Sequence, residues 1–387
     1  MHFALTDYNC IGFDLDNTLA RYKLANLARL QYDLLAGYLV DRKNYPREIR
    51  GAPVDTDFLL KGLAIDTKHG NVVKIARDGR IVRAAHGTKW LTEKELLEFY
   101  PQKRAEFVEK FVRNPVEFVR VYTERMKFCL DYFDSANSLI YARLIDATEH
   151  KITFNRMWED LTEALYNTFS PNYDDKGNIY NVLKANPEEY YVRCDETVRD
   201  WLTSLKSSGI TLFLVTGAYK EAALDTLEYV LGRNWRSFFD LTVLEAGKPG
   251  FFVGPADDCS NCEALSDGVY TMKCWRNVEV FLRGAVDRPK CLYVGDNLIE
   301  DVYAPVVSSS ADTLHVCEEL EAENSTGYHP DEKILSSDRW GSYFHDADGT
   351  PTFWNHLMHV YPKLCVPNVD YLAKFPVNHK FTSTQIV

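Results

Sequence analysis

Two aspartates one residue apart, Asp14 and Asp16, follow a short apolar run, Ile11-Gly12-Phe13, and precede Asn17, Thr18 and Leu19. On an extended segment the side chains i and i+2 share a face, so both carboxyls are expected to aim past the end of one strand. Two like charges that close need a cation, a shared proton or a polar site. A bare D-x-D-x-T pattern also fits a solvated turn, and other parts of the chain decide between the readings. Thr216 closes a second apolar run, Lys248 follows a third, and Gly295-Asp296-Asn297 with Asp301 ends a fourth. Each alone has an ordinary reading: Thr216 as a turn hydroxyl, Lys248 as a surface lysine, Asp296 as a helix cap. In this order, each after a strand, they compose a phosphoryl-transfer site. Asp14 is then a carboxylate nucleophile. Asp16 protonates the leaving oxygen and later deprotonates the attacking water. Thr216 and Lys248 offer a hydroxyl and a fixed positive charge to the phosphoryl oxygens. Asp14 with Asp296 gives an all-oxygen site suited to Mg²⁺. Asp301, one helical turn on, is expected to bind through water or to orient Lys248.

The elements that must carry these residues are readable from periodicity. Ile210–Val215, Phe239–Leu244 and Lys290–Val294 are apolar runs of strand length, separated by helical patterns over Glu196–Lys206, Tyr219–Leu231 and Trp275–Leu282. Strands apolar on both faces that alternate with helices predict a parallel sheet covered by helices, with function at the carboxyl ends of its strands. Leu24–Val40 has helical spacing. Residues 61–87 differ: three short β-rich runs are punctuated by Lys68-His69-Gly70 and Arg77-Asp78-Gly79, which predicts a small antiparallel meander. A mainly helical stretch follows from Thr92 to about Ala185, with a loop at 171–177. The segment between Thr18 and Thr216 is far longer than a βαβ crossover requires, so it holds an inserted unit.

The chain has 387 residues, 46% hydrophobic and 26% charged, which suits a core domain plus a smaller second unit. A net charge of -12 without any dense Lys/Arg block argues against a nucleic-acid surface. A phosphorylated substrate stays open, because a metal neutralises such a site locally. No apolar run reaches the length of a membrane span, and the first residues resemble neither a secretory nor a transit segment. Nine scattered cysteines read as reduced thiols in a cytoplasmic protein, and the lone Cys259-x-x-Cys262 reads as loop rather than zinc site.

The motif residues resemble those of the haloacid-dehalogenase (HAD) superfamily: Asp14-Leu15-Asp16-Asn17-Thr18, Thr216, Lys248, and Gly295-Asp296 through Asp301. More narrowly, the stretch Gly12 through Tyr22, with Lys61–Asp66, Gly70–Lys74, Ala85-His86-Gly87 and Lys248–Phe252, resembles the cytosolic purine 5′-nucleotidase family. Within that group Ala85–Lys89, Trp340-Gly341-Ser342 and Val377–Phe381 resemble the type 1 branch of the 5′-nucleotidase domain-containing proteins. The resemblance implies an α/β fold, a HAD-like doubly wound parallel sheet with a mainly helical cap inserted after the first strand and a small antiparallel meander. The core is expected over 1–104 and 188–387, with a C-terminal extension at 320–387, and the cap over 105–187. It implies catalysis by Asp14 and Asp16, phosphate binding by Thr216, Gly217 and Lys248, and Mg²⁺ on Asp14, Asp16 and Asp296, with Asp301 in support. Phe133 falls where the nucleotidase stacks its purine, with Asp134 beside it, although a core aromatic explains Phe133 equally well. The substrate implied is a small phosphorylated molecule, a nucleoside monophosphate first, another phosphorylated metabolite second. A low-turnover binding or regulatory protein that keeps the fold is a third reading. No nucleic acid or membrane partner is expected, and the family's tendency to self-associate leaves a homo-oligomer possible. Two departures bear on the substrate: Trp158–Tyr166 lacks the family's base-binding Arg and carries Tyr where an Asp is expected, and Thr216 is followed by Gly217-Ala218 rather than Asn-Ser.

Overall fold

A computed structural model of the protein describes residues 2–101, 126–149, 151–170, 178–254, 259–260, 262–324, 334–383 and 385–386. The chain divides into two compact units. Unit 1 comprises Met1–Tyr22, Tyr191–Asn324 and Leu357–Val387; unit 2 comprises Lys23–Tyr190 and Ser325–His356. The second unit therefore takes in the meander at 61–87 and part of the C-terminal region, as well as the described residues of 105–187. The loop expected at 171–177 lies outside the described residues.

Unit 1 is built on one sheet with strand order Cys262–Ser266, Val269–Met272, Leu241–Leu244, Thr211–Val215, Cys10–Phe13, Cys291–Gly295, Asp312–Val316, Leu364–Val366 and Gln385–Ile386. All neighbours are parallel except the first pair, an antiparallel hairpin. The motif strand Cys10–Phe13 is central and buried along its whole length. Gly12 is there because nothing larger fits: a Cβ would stand 2.3 Å from the Phe213 ring and 2.8 Å from that of Tyr293. The helix Glu196–Ser207 shows how the layers attach. Asp195 caps its first turn by accepting the Val198 N–H, Val198, Trp201, Leu202 and Leu205 are buried, and Gly209 at φ 81° follows its end. Each such apolar side chain adds about 2 kcal/mol when taken out of water.

Unit 2 holds the meander. Ala64–Asp66, Asn71–Ile75 and Ile81–His86 pair antiparallel, as the turn signals predict, and Lys89–Trp90 and Met126–Phe128 extend them to five strands. The last strand falls where the sequence pattern predicts mainly helix; three residues are too few to show a period. Helices Leu24–Lys43, Ser135–Thr148 and Phe154–Phe169 belong to the same unit. Lys74 is buried there, and its ammonium donates to the carbonyls of Trp340, Ser342 and His345 at 2.6, 2.5 and 2.9 Å. Among the described residues no helix is long and apolar enough to cross a membrane.

One expectation about the cysteines is overturned. Cys259 and Cys274 form a disulfide, while the other seven are free thiols. The close pair in sequence is thus not the pair that meets in space.

Candidate active site

Asp14 continues the central strand by one residue, its N–H donating to the Val294 carbonyl at 2.8 Å. The chain then turns at once. The Leu15 carbonyl accepts the N–H groups of Thr18, Leu19 and Ala20 at 3.3, 3.0 and 2.8 Å, and Asn17 takes a left-handed φ of 53°. Asn reaches that region at small cost. The turn thus begins just beyond Asp14, and the charge of Asp16 still reaches the Asp14 carboxyl. The Asp16 carboxylate accepts the Tyr22 hydroxyl at 2.6 Å.

Lys248 reaches Asp14 from beyond the strand Leu241–Leu244. Its ammonium donates to Asp14 Oδ1 at 2.7 Å and to Asp301 Oδ1 at 2.5 Å, with all three side chains buried. Asp301 is held in turn by the Asn297 N–H, which donates to its Oδ2 at 3.1 Å. Asn297 also caps the turn Leu298–Tyr303, accepting the N–H groups of Ile299 and Glu300 at 3.1 Å. Asp301 thus contacts Lys248 directly.

The carboxylates of Asp14, Asp296 and Asp301 offer oxygens that lie within 4.8 Å of one another. Asp301 is the third member of this cluster, while the Asp16 carboxylate accepts the Tyr22 hydroxyl. Among the described residues Lys248 bonds two of these three buried acids, Asp14 and Asp301. Burial pushes the Asp14 carboxyl up to about 8; Lys248 opposes the rise, and Asp301 and Asp16 add to it. Burial also works against the Lys248 ammonium, but Asp14 and Asp301 outweigh it and hold the group charged well above its ordinary range. A hard divalent cation fits this all-oxygen set and would add positive charge to it.

Thr216 ends the strand Thr211–Val215. Its N–H donates to the Val243 carbonyl at 2.9 Å, and its Oγ1 accepts the Ala218 N–H at 3.1 Å. Gly217 follows, exposed, with open space where a Cβ would be. Thus Asp14, Lys248, Asp296 and Asp301 are brought together, with Asp16, Thr216 and Gly217 in the same unit. Phe133 and Asp134 belong to unit 2. The Phe133 ring meets Phe169 edge-on at 5.7 Å. Asp134 precedes the helix Ser135–Thr148 and accepts the Asn137 amide at 3.4 Å. Burial, then the neighbouring Asp131, raise the Asp134 carboxyl well above its ordinary range. On the adjoining helix Asp160 is held by Arg156 and Tyr45, and Glu163 by Lys43 and Tyr38. Sequence reasoning missed two participants, Tyr22 and Asn297. Both lie inside the motif stretches, but their roles depend on turn geometry that no period reports.

Comparison with known proteins adds a family. The model of the 5' nucleotidase family matches residues 2–338. The human 5'-nucleotidase domain-containing protein 1 is 29% identical over 98% of this chain and 93% of its own length. The protein of the same name from Bos taurus is 28% identical with the same coverage. Among solved structures, YfnB of Bacillus subtilis, a magnesium-bound protein assigned to the HAD-hydrolases, aligns with a TM-score of 0.32 at 11% identity, covering 95% of this chain and 97% of its own. An archaeal beta-phosphoglucomutase from a Pyrococcus strain aligns with a TM-score of 0.29 at 13% identity, covering 79% and 85%.

Proposed function

Because the chain belongs to the 5' nucleotidase family, we propose that it is a Mg²⁺-dependent phosphomonoester hydrolase acting through an aspartyl-phosphate on Asp14. A nucleoside 5′-monophosphate is the substrate that the family name supports. The observation that carries this reading is the Lys248 ammonium held between Asp14 and Asp301 at the end of the central strand. That arrangement leaves a buried carboxylate beside a fixed cation, as attack on a phosphate dianion requires.

Asp14 attacks phosphorus, and the ester P–O bond breaks as Asp16 gives its proton to the departing oxygen. Water then attacks the aspartyl-phosphate, Asp16 takes a proton from it, and inorganic phosphate leaves with Asp14 restored. Lys248 meets the charge that gathers on the phosphoryl oxygens, and Asp301 keeps it aimed. Thr216 and the Gly217 N–H serve the same oxygens. Asp14 and Asp296 would hold the Mg²⁺, which supplies positive charge to the phosphoryl group and keeps Asp14 ionised. The cap role of residues 105–187 and a cytoplasmic location belong to this reading, the latter resting on seven free thiols against one bridge.

A second substrate, another small phosphorylated metabolite, is favoured by one finding. Phe133 packs on Phe169, and Asp160 and Glu163 are engaged within their own unit. The test is phosphate release from a panel of nucleotides and sugar phosphates with Mg²⁺, beside Asp14→Asn. Release that vanishes in the variant supports the mechanism, and the best ester names the substrate class. No release above the variant from any ester would sink it in favour of a binding role.

A further inference from the structure

We propose that Tyr22 is a positioning residue that holds the Asp16 carboxyl in the orientation from which it passes its proton to the ester oxygen. The inference rests on the reading of Asp14 and Asp16 given above and assigns a new residue to that chemistry. Asp16 needs such a hold. It stands beyond the sheet, in a turn that passes through a left-handed Asn17, and it is only half-buried. The Tyr22 hydroxyl donates to its Oδ1 at 2.6 Å and fixes the plane of the carboxyl group.

Tyr22 is itself firmly placed. It is 3% exposed and lies opposite Tyr191 in a short antiparallel pair, Arg21–Tyr22 with Tyr191–Val192. The two rings meet at 4.8 Å, and Tyr191 shares a hydrogen bond with Thr226 Oγ1 at 3.0 Å. The preceding residue, Arg21, is tied to Glu318, Glu321 and Asp370 at 3.0, 3.2 and 3.7 Å. A strand anchored at both residues presents the phenol from a fixed point, which is what a supporting contact to a reacting group requires. The phenol keeps its own proton in both steps. Only the proton of Asp16 moves, to the ester oxygen as the P–O bond breaks, and back from water as the Asp14–phosphorus bond breaks.

The test separates this role from simple packing. Tyr22→Phe keeps the ring on Tyr191 and removes the hydroxyl. An alkyl phosphate needs protonation of its leaving oxygen, whereas p-nitrophenyl phosphate has a leaving group stable as an anion. The expected result is a fall in kcat/KM of about 10- to 100-fold for the alkyl ester and less than about 3-fold for the aryl ester. Because the ratio of the two esters is taken within one preparation, loss of folded protein cancels from it. In an Asp16→Asn background the same change is expected to have no further effect on that ratio, since a residue acting through Asp16 is silent without it. Equal loss on both esters, no loss on either, or full additivity with Asp16→Asn would overturn the proposal while leaving the hydrolase reading intact. A parent enzyme inactive on every ester would overturn both together.

Discussion

Gly295 and Asp301 compete for one volume: a Cβ on the glycine would stand 2.4 Å from the Asp301 Cβ and 2.7 Å from its Oδ2. The strand Cys291–Gly295 thus ends in a residue without a side chain so that the acid bonded to Lys248 can lie against its backbone. Gly295→Ala is expected to push Asp301 off Lys248, with an overpacking cost of about 1–3 kcal/mol. A shift of that kind near the reacting groups lowers kcat by up to about 100-fold. Gly217→Ala is the contrast, since open space surrounds that position. Its thermal midpoint should stay at the parent's value, and the pair of melting curves checks both expectations.

Lys248→Met removes the only cation that bonds both Asp14 and Asp301 among the described residues. Phosphate release should fall by at least about 10²-fold, as when a transition-state donor is lost. Arginine should not restore it, because a planar fork cannot replace a compact ammonium inside this packing. Turnover measured for both variants decides the matter, and near-parent activity in either one would contradict the geometry.

Divalent cation should stabilise the protein in a pH-dependent manner. With its carboxyl pushed up to about 8, Asp14 is a group for which a proton and a cation compete near neutral pH. Cation binding then tightens as pH rises and the proton competes less, by up to about 10-fold per unit below the midpoint. The rise in Tm given by a fixed Mg²⁺ concentration should therefore be larger at pH 8 than at pH 6. Asp14→Asn should remove that dependence.

Glu318, which binds Arg21, yields a separate prediction. Burial raises its carboxyl to about 7 from an ordinary 4.5; Arg21 pulls it down, and Glu321 and Glu319 push it up. The folded state thus keeps a proton that the unfolded chain gives up near the ordinary value. Stability from this group is complete below that value and is lost as pH climbs toward 7. Glu318→Gln cannot titrate, so the difference in Tm between parent and variant should change between pH 5 and 7 and level off above. A constant difference across that window would show that Glu318 titrates normally.

Much of the site was legible because its residues follow strands that are apolar on both faces. Thr211–Val215 and Cys291–Gly295 show this, and each places its marked residues at the carboxyl end. Three features hid other strands. Asp312–Val316 carries Asp, Thr and His, yet Thr313 and His315 are fully buried, so hydropathy alone passes it over. Leu364–Val366 is too short to show any period. The hairpin around Asp267-Gly268 carries a turn signal, but Cys262–Ser266 is largely exposed and reads as loop. The Asp16–Tyr22 contact depends on a single left-handed residue between them, and sequence spacing carries no information about where that sends a side chain. Phe133 was readable as an aromatic near a helix start; its partner, Phe169, comes from the far end of another helix.

Lys74 bears on how this protein can be taken apart. The three carbonyls that hold its buried ammonium all come from 340–345, far along the chain, and Trp340 and Trp354 add hydrogen bonds to the carbonyls of Phe58 and Gly62 at 3.1 and 2.6 Å. Unit 2 is therefore not a cassette. A fragment excised as Lys23–Tyr190 would leave a lysine in an apolar interior without these acceptors. Grafting this unit onto another scaffold, or exchanging it between relatives, has to carry both pieces of chain.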